Sequence, residues 1–190
     1  MDARDVTREI RRVVWPVLRD EGFDSFTGRT AWRYVGTGVD VVNFQSFSAS
    51  VAEAVGCTPF SFSVNLGVWL PGDVEPRLKP DAAGRPRPQE WECDRRTRLS
   101  KSIPQPWFEP FSRRDVSRWP LGLRLHREGL KRVLRRDRHD REETWFVLPD
   151  GTNLAEVVDD ALRAIRDDGL VWLQSARVAA DAAASAEPKS

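Results

Sequence analysis

Apolar side chains fall on Phe60, Phe62, Val64, Leu66, Val68 and Leu70, with Ser61, Ser63, Asn65 and Gly67 between them. A strand sends alternate residues to opposite faces, so the run predicts one strand with an apolar face and a polar face. Two more strands precede it. Thr30 to Val35 sets Trp32 and Tyr34 against Arg33, and Val39 to Ser48 sets Val42 and Phe44 against Asn43 and Gln45. The short Gly36-Thr37-Gly38 link between them suits a hairpin. Glu92 to Leu99 reads as a fourth strand, with Cys93, Arg95, Thr97 and Leu99 opposite Asp94, Arg96 and Arg98.

Helices bracket these strands. Val6, Ile10, Val13, Val14, Val17 and Leu18 recur at the helical period, with Asp5 or Thr7 as caps and Gly22 as the closing residue. Pro16 lies inside this pattern, where it costs about 3 kcal/mol, so a kink or two shorter pieces is expected. Near the other end Leu154, Val157, Val158, Ala161, Leu162 and Ile165 form a second stripe. Asn153 and Glu156 have capping-box spacing, Gly169 reads as the stop, and Leu170 to Leu173 as an apolar anchor.

Two stretches break the periodicity. Residues 71–89 carry Pro71, Pro76, Pro80, Pro86 and Pro88 and read as an insertion loop, either functional or without fixed structure. Residues 100–120 are also proline-broken, but Trp107, Phe108, Phe111 and Trp119 suggest a loop packed on the sheet. The pattern yields one α+β domain over residues 1–175, followed by a flexible tail at 176–190. Its predicted architecture is an antiparallel sheet of about four strands with the N- and C-terminal helices packed on one face. Phe62, Val64 and Leu66 should face Val14, Val17 or the C-terminal stripe.

The order of these elements resembles a bacterial family, domain of unknown function 4304. The resemblance rests on Leu18-Arg-Asp-Glu-Gly-Phe23, Asn43-Phe-Gln45, Phe62-Ser-Val-Asn-Leu-Gly67, Cys93-Asp-Arg-Arg-Thr-Arg-Leu99, and Trp145 followed by a helix and Gly169-Leu-Val-Trp-Leu173. It spans most of residues 5–174, and Val171 stands where the family usually has Pro. It implies a fold and brings no activity, cofactor or catalytic residue.

Composition narrows the function classes. The chain has 190 residues, and 31% are charged, yet the formal net charge is only +1, so the molecule as a whole is no electrostatic nucleic-acid binder. Two distant cysteines, Cys57 and Cys93, suit a reduced, cytoplasmic protein. The opening Met-Asp-Ala-Arg-Asp lacks the basic start and apolar run of a secretory signal, and no apolar run approaches the roughly 20 residues of a membrane span.

Candidate chemistry lies on the polar strand faces. Asn43, Gln45, Ser63, Asn65, Arg96 and Arg98, with Ser61, would share one sheet face if their strands are antiparallel neighbours. Arginine forks match carboxylate or phosphate, so the patch suits an anionic ligand or an acidic partner surface. The plainer reading is the solvated outer face of a helix-backed sheet. Arg113 to Arg141 holds eleven Arg or Lys against four Asp or Glu, a local excess of +7, with helical spacing from Gly122 to Asp137. It suits phosphate contact, or neutralisation by the acidic stretch Asp150 to Asp168.

Cys57, Cys93, His126 and His139 are too isolated for a structural zinc site, and no metal or cofactor is implied. A Cys–His dyad with His126 stays open, whereas Glu90 with Glu92 and Asp159 with Asp160 read as solvated charges. The function expected from a well-made core without a catalytic motif is a non-catalytic protein-binding module, adaptor- or immunity-like by analogy. The alternatives are an anion- or small-molecule-binding protein or enzyme using the polar face, and nucleic-acid contact through 113–141.

Overall fold

The chain pairs its strands in the order in which it makes them. The computed structural model describes residues 1–71, 78–103 and 142–186, with the backbone alone for 53, 54 and 181–186. Helix α1 (Ala3–Asp20) leads to β1 (Ser25–Phe26), β2 (Thr30–Val35) and β3 (Gly38–Ser46). Helix α2 (Ala49–Val55), β4 (Phe62–Trp69), a 3-10 turn (Glu90–Glu92) and β5 (Arg95–Arg98) follow. Helices α3 (Leu154–Ala164) and α4 (Leu170–Ala186) are joined through a π-helical turn (Ile165–Gly169). The sheet has five antiparallel strands in the order β1-β2-β3-β4-β5, one more than expected because β1 is only two residues long. The segments 104–141 and 72–77 lie outside the described residues. So do the expected aromatic loop, the basic helix and both histidines.

Pairing register fixes the two faces of the sheet. Val42 is opposite Leu66 and Ala31, and Phe44 is opposite Val64. These residues, with Phe62 and Val68, form one cluster with Val6, Ile10, Val14 and Leu18 of α1, Val157, Val158 and Ala161 of α3, and Leu173 of α4. Helices therefore cover this face, and Phe62, Val64 and Leu66 are wholly buried, as the alternation requires. Aromatic contacts cross the layer: Trp15 lies 5.4 Å from Phe26 and 5.7 Å from Phe44, Phe44 5.5 Å from Phe62, and Phe62 6.0 Å from Trp145.

Helix α1 is a single helix through Pro16, so the expected break is absent. Pro16 is exposed, where its missing N–H leaves no buried group unsatisfied. The N-cap is Asp2, whose side chain accepts from the Arg4 and Asp5 amides while Asp5 accepts from the Asp2 amide. At the other end the Gly22 and Phe23 amides donate to Arg19 and Leu18, the paired bonds of a Schellman turn.

The C-terminal region differs from the reading more. Asn153 precedes α3 but does not cap it with its side chain; its amide instead accepts from the Leu148 N–H and donates to Phe146 O. Gly169 does not stop the helix. It sits in the π turn, where a Cβ would lie 3.2 Å from the Leu66 and Leu99 side chains, so it allows the turn to approach β4 closely. Leu170 to Leu173 consequently form the first turn of α4, and that helix continues to Ala186 across the boundary expected at 175.

Two buried carboxylates tie the helices down. Asp40 accepts from the guanidinium of Arg33 at 2.8 Å and from that of Arg177 on α4. Burial pushes its pKa up and the two guanidiniums pull it only partly back. Asp160 is wholly buried on α3, against the solvated role expected for it, and accepts from Ser102, Trp145 Nε1 and Arg163.

We expect Val64→Asp to abolish folding. A buried carboxylate without a partner costs several kcal/mol against a total stability of about 5–15 kcal/mol. Circular dichroism during urea titration checks this, and a parent-like transition would contradict the placement of β4.

Candidate functional site

The second face of the sheet is polar only in its middle. At one end Trp32, Val39, Val41, Trp69 and Cys93 form an apolar cluster joined by Tyr34 and Leu78. At the other end Phe47, Ala52, Val55, Cys57 and Phe146 form another. Between them the register aligns Thr30, Asn43, Asn65 and Arg98 across β2 to β5, with Gln45 opposite Ser63 one step away. Asn43, Gln45, Ser63, Asn65, Arg96 and Arg98 thus share one face of the sheet. Ser61 is turned into a separate buried link, its hydroxyl accepting from the Val147 N–H.

The polar row is a chain of directed hydrogen bonds. Arg98 Nε donates to Asn65 Oδ1 at 2.9 Å, Asn65 Nδ2 donates to Gln45 Oε1 at 2.9 Å, and Asn43 Nδ2 donates to Thr30 Oγ1 at 2.9 Å. A longer contact of 3.5 Å joins Asn65 Nδ2 to Asn43 Oδ1. Glu143 lies 3.9 Å from Arg98 Nη1. Asn65 is 3% exposed and Ser63 0%, so this is not the solvated outer face the sequence suggests. All eight residues of β4 are buried, which makes it an interior strand on both faces.

The proline-rich segment explains part of that burial. Trp32 Nε1 donates to Pro88 O at 2.8 Å, Arg87 Nε donates to Ser25 Oγ, and Arg85 pairs with Asp24 and Asp81. Arg85 also lies over the Tyr34 ring and Arg87 over Trp32. The 3-10 turn then brings Cys93 down on Gly67, where a Cβ would lie 2.5 Å from the sulfur. Glu92 belongs to this turn and accepts from the Gln89 N–H at 2.6 Å. The strand therefore starts at Arg95 rather than Glu92, and Cys93 escapes the alternation assigned to it.

Arg96 and Arg98 are unequal members of the face. Arg98 is largely covered and bound into the row; Arg96 is exposed at the rim, with Nη1 3.4 Å from Trp91 O. Trp91 itself is 62% exposed. Glu90, read from the sequence as a solvated charge, is instead partly covered and placed by the turn beside these arginines. Its Oε2 is buried without a hydrogen-bond partner among the described residues, and burial pushes its pKa up against the pull of Arg98 and Arg96. No spacing rule reveals that proximity, because a chain reversal creates it.

A nucleophilic role for either cysteine finds no support in this geometry. Burial pushes Cys57 up to about 12 and raises Cys93 as well, the opposite of what an activated thiolate needs. No group of three His, Cys, Asp or Glu residues is placed to hold a metal among the described residues. No helix among them is long and apolar enough to cross a membrane. No family model, curated protein or solved structure matches the chain.

Asn65→Ala should lower stability by about 1–3 kcal/mol, since it strands the Arg98 donor and the Gln45 acceptor together. Urea denaturation measures the loss, and a double-mutant cycle with Gln45→Ala should show coupling between the two sites. Both thiols should resist a disulfide reagent at pH 8 in the native protein and react in denaturant. Rapid native labelling would contradict their burial.

Proposed function

We propose that this protein is a non-catalytic binding module that meets another protein through the rim of its second sheet face. The contact surface is the 3-10 turn and the start of β5, with Trp91 and Arg96 as its principal side chains. The observation that carries this reading is the exposure of Trp91 on a turn held by reciprocal Gln89–Glu92 bonds. A large aromatic fixed in water beside an exposed arginine has the composition of an interface hot spot. Asn65 and Ser63 are interior groups and do not serve as contact residues in this reading. Membership of the family resembled above belongs to the same proposal and rests on the order of its elements. An adaptor- or immunity-like role, in the cytoplasm, is its physiological form.

A second reading is favoured by Glu90. A covered carboxyl with a raised pKa beside two arginines also suits a small-molecule site, anion-binding or enzymatic, on the polar face. The two readings separate experimentally. Trp91→Ala with Arg96→Ala should leave the unfolding transition within about 1 kcal/mol of the parent, because both side chains are exposed. The same variant should lose a stoichiometric partner that the parent retains on affinity capture from the native host. The loss should persist when that partner is purified and remixed. A partner held equally by both forms, or a small molecule that co-purifies and is lost only in Glu90→Gln, would displace the protein-contact reading.

A further inference from the structure

Every largely covered arginine but two is matched to a carboxylate among the described residues. Arg33 and Arg177 face Asp40, Arg85 faces Asp24 and Asp81, and Arg98 lies near Glu143. Arg87 caps the Trp32 ring and bonds Ser25. Arg29 has neither an acid nor a ring. Its Nε donates to Thr7 Oγ1 at 3.1 Å and its Nη2 to Ala3 O at 3.2 Å, both neutral groups on α1. Its Nη1 is buried and has no partner among the described residues. A covered guanidinium keeps its charge, so one left with an unmet donor marks a place for an anion. Burial already pushes the Arg29 pKa down, the direction an absent counter-charge leaves uncorrected.

The helix residues that Arg29 touches belong to a larger feature. Ala3, Arg4, Thr7, Arg8 and Arg11 line a concavity of about 520 Å³ on the flank of α1. Arg4 and Arg11 are exposed and make no ion pair among the described residues, while Arg8 shares its charge with Asp5 at 2.9 Å. Glu9, the other acid of this part of the helix, is taken by Arg12 at 2.6 Å. Two uncompensated guanidiniums, Arg4 and Arg11, therefore line one groove, and Arg29 is bonded to two of its lining residues, Ala3 and Thr7. Arg4 and Arg11 are two turns apart, about 10 Å along the axis at the usual helical rise. That length and charge suit a ligand with more than one anionic centre better than a single carboxylate.

We propose that this groove binds a phosphoryl-bearing small molecule of the diphosphate type, with Arg29 as its fixed anchor and Arg4, Arg8 and Arg11 as its mobile arms. Guanidinium forks match phosphate oxygens in pairs, which gives a diphosphate several charge-assisted bonds at once. The groove lies on the helix-covered side of the sheet and is independent of the surface at Trp91.

Isothermal titration of the full chain with pyrophosphate, at physiological sodium chloride, tests the site. Saturable one-to-one binding is expected, tighter than that of inorganic phosphate or citrate. Arg29→Gln should weaken it at least about tenfold, the scale of one lost charge-assisted bond. Because Arg29 also holds α1, a second variant, Arg4→Gln with Arg11→Gln, changes only exposed side chains and should weaken binding by a similar factor with a parent-like unfolding transition. No saturable binding by the parent would overturn the proposal, as would parent-like affinity in the double variant. Citrate binding more tightly than pyrophosphate would overturn the phosphoryl assignment. A short single-stranded oligonucleotide that outcompetes pyrophosphate with a steep salt dependence would reassign the groove to nucleic acid.

Discussion

A strand buried on both faces must satisfy its polar side chains without water, and β4 imposes that condition on this molecule. Phe62, Val64, Leu66 and Val68 meet the helices, an ordinary requirement of a two-layer fold. Its other residues, Ser63, Asn65, Gly67 and Trp69, meet a second cover, where Trp69 joins the apolar cluster and the other three are each accommodated differently. Asn65 is bonded on both sides by Gln45 and Arg98, and Gly67 leaves room for Cys93. Ser63 Oγ has no partner among the described residues. An amide in that position commits the neighbouring strands as well, since a bond to Asn65 is useful only if Gln45 and Arg98 hold their register. The polar row therefore acts as a register lock between β3, β4 and β5, a role that apolar side chains, being non-directional, fill less selectively.

The helical layer repeats this logic with charges. Asp40 on the sheet and Asp160 on α3 are both wholly buried carboxylates, and each joins a nearby arginine to a donor from a segment distant in sequence. Asp40 collects Arg33 from β2 and Arg177 from α4, while Asp160 collects Ser102, Trp145 and Arg163. The aromatic series from Phe26 through Trp15, Phe44 and Phe62 to Trp145 supplies the contact area, and the Trp145 indole ends on Asp160. Apolar burial holds the layers together, and the buried acids choose which helix turn meets which strand.

What the sequence reveals follows from which interactions are periodic. The alternation of β4, the face shared by Asn43, Gln45, Ser63, Asn65, Arg96 and Arg98, and the stripes of α1 and α3 are all readable, because each repeats along one element. The cover over the second face is not readable. It depends on a proline-rich segment whose order comes from single contacts, such as Trp32 to Pro88 and Arg85 to Asp24, that leave no pattern in the chain. Gly169 misleads for a related reason. A glycine after a helical stripe usually serves as a stop, but here Leu66 and Leu99 crowd the turn and closeness is its role. Asp160 looked solvated because its partners, Ser102 and Trp145, are distant in sequence.

The same distinction bears on function. Directional groups already engaged with each other cannot serve a ligand without breaking bonds that hold the sheet in register. The centre of the polar face, attractive in sequence because it gathers amides and arginines, is for that reason its least suitable part for recognition. Groups placed by the fold but left with unmet bonding capacity are better candidates. Trp91 is held in water by a capped turn, Glu90 has a covered oxygen without a donor among the described residues, and Arg29 has a covered donor without an acceptor there. These three lie at the edges of the structural network rather than within it. Recognition is best sought there, where a bond to a partner or ligand adds to the network instead of competing with it.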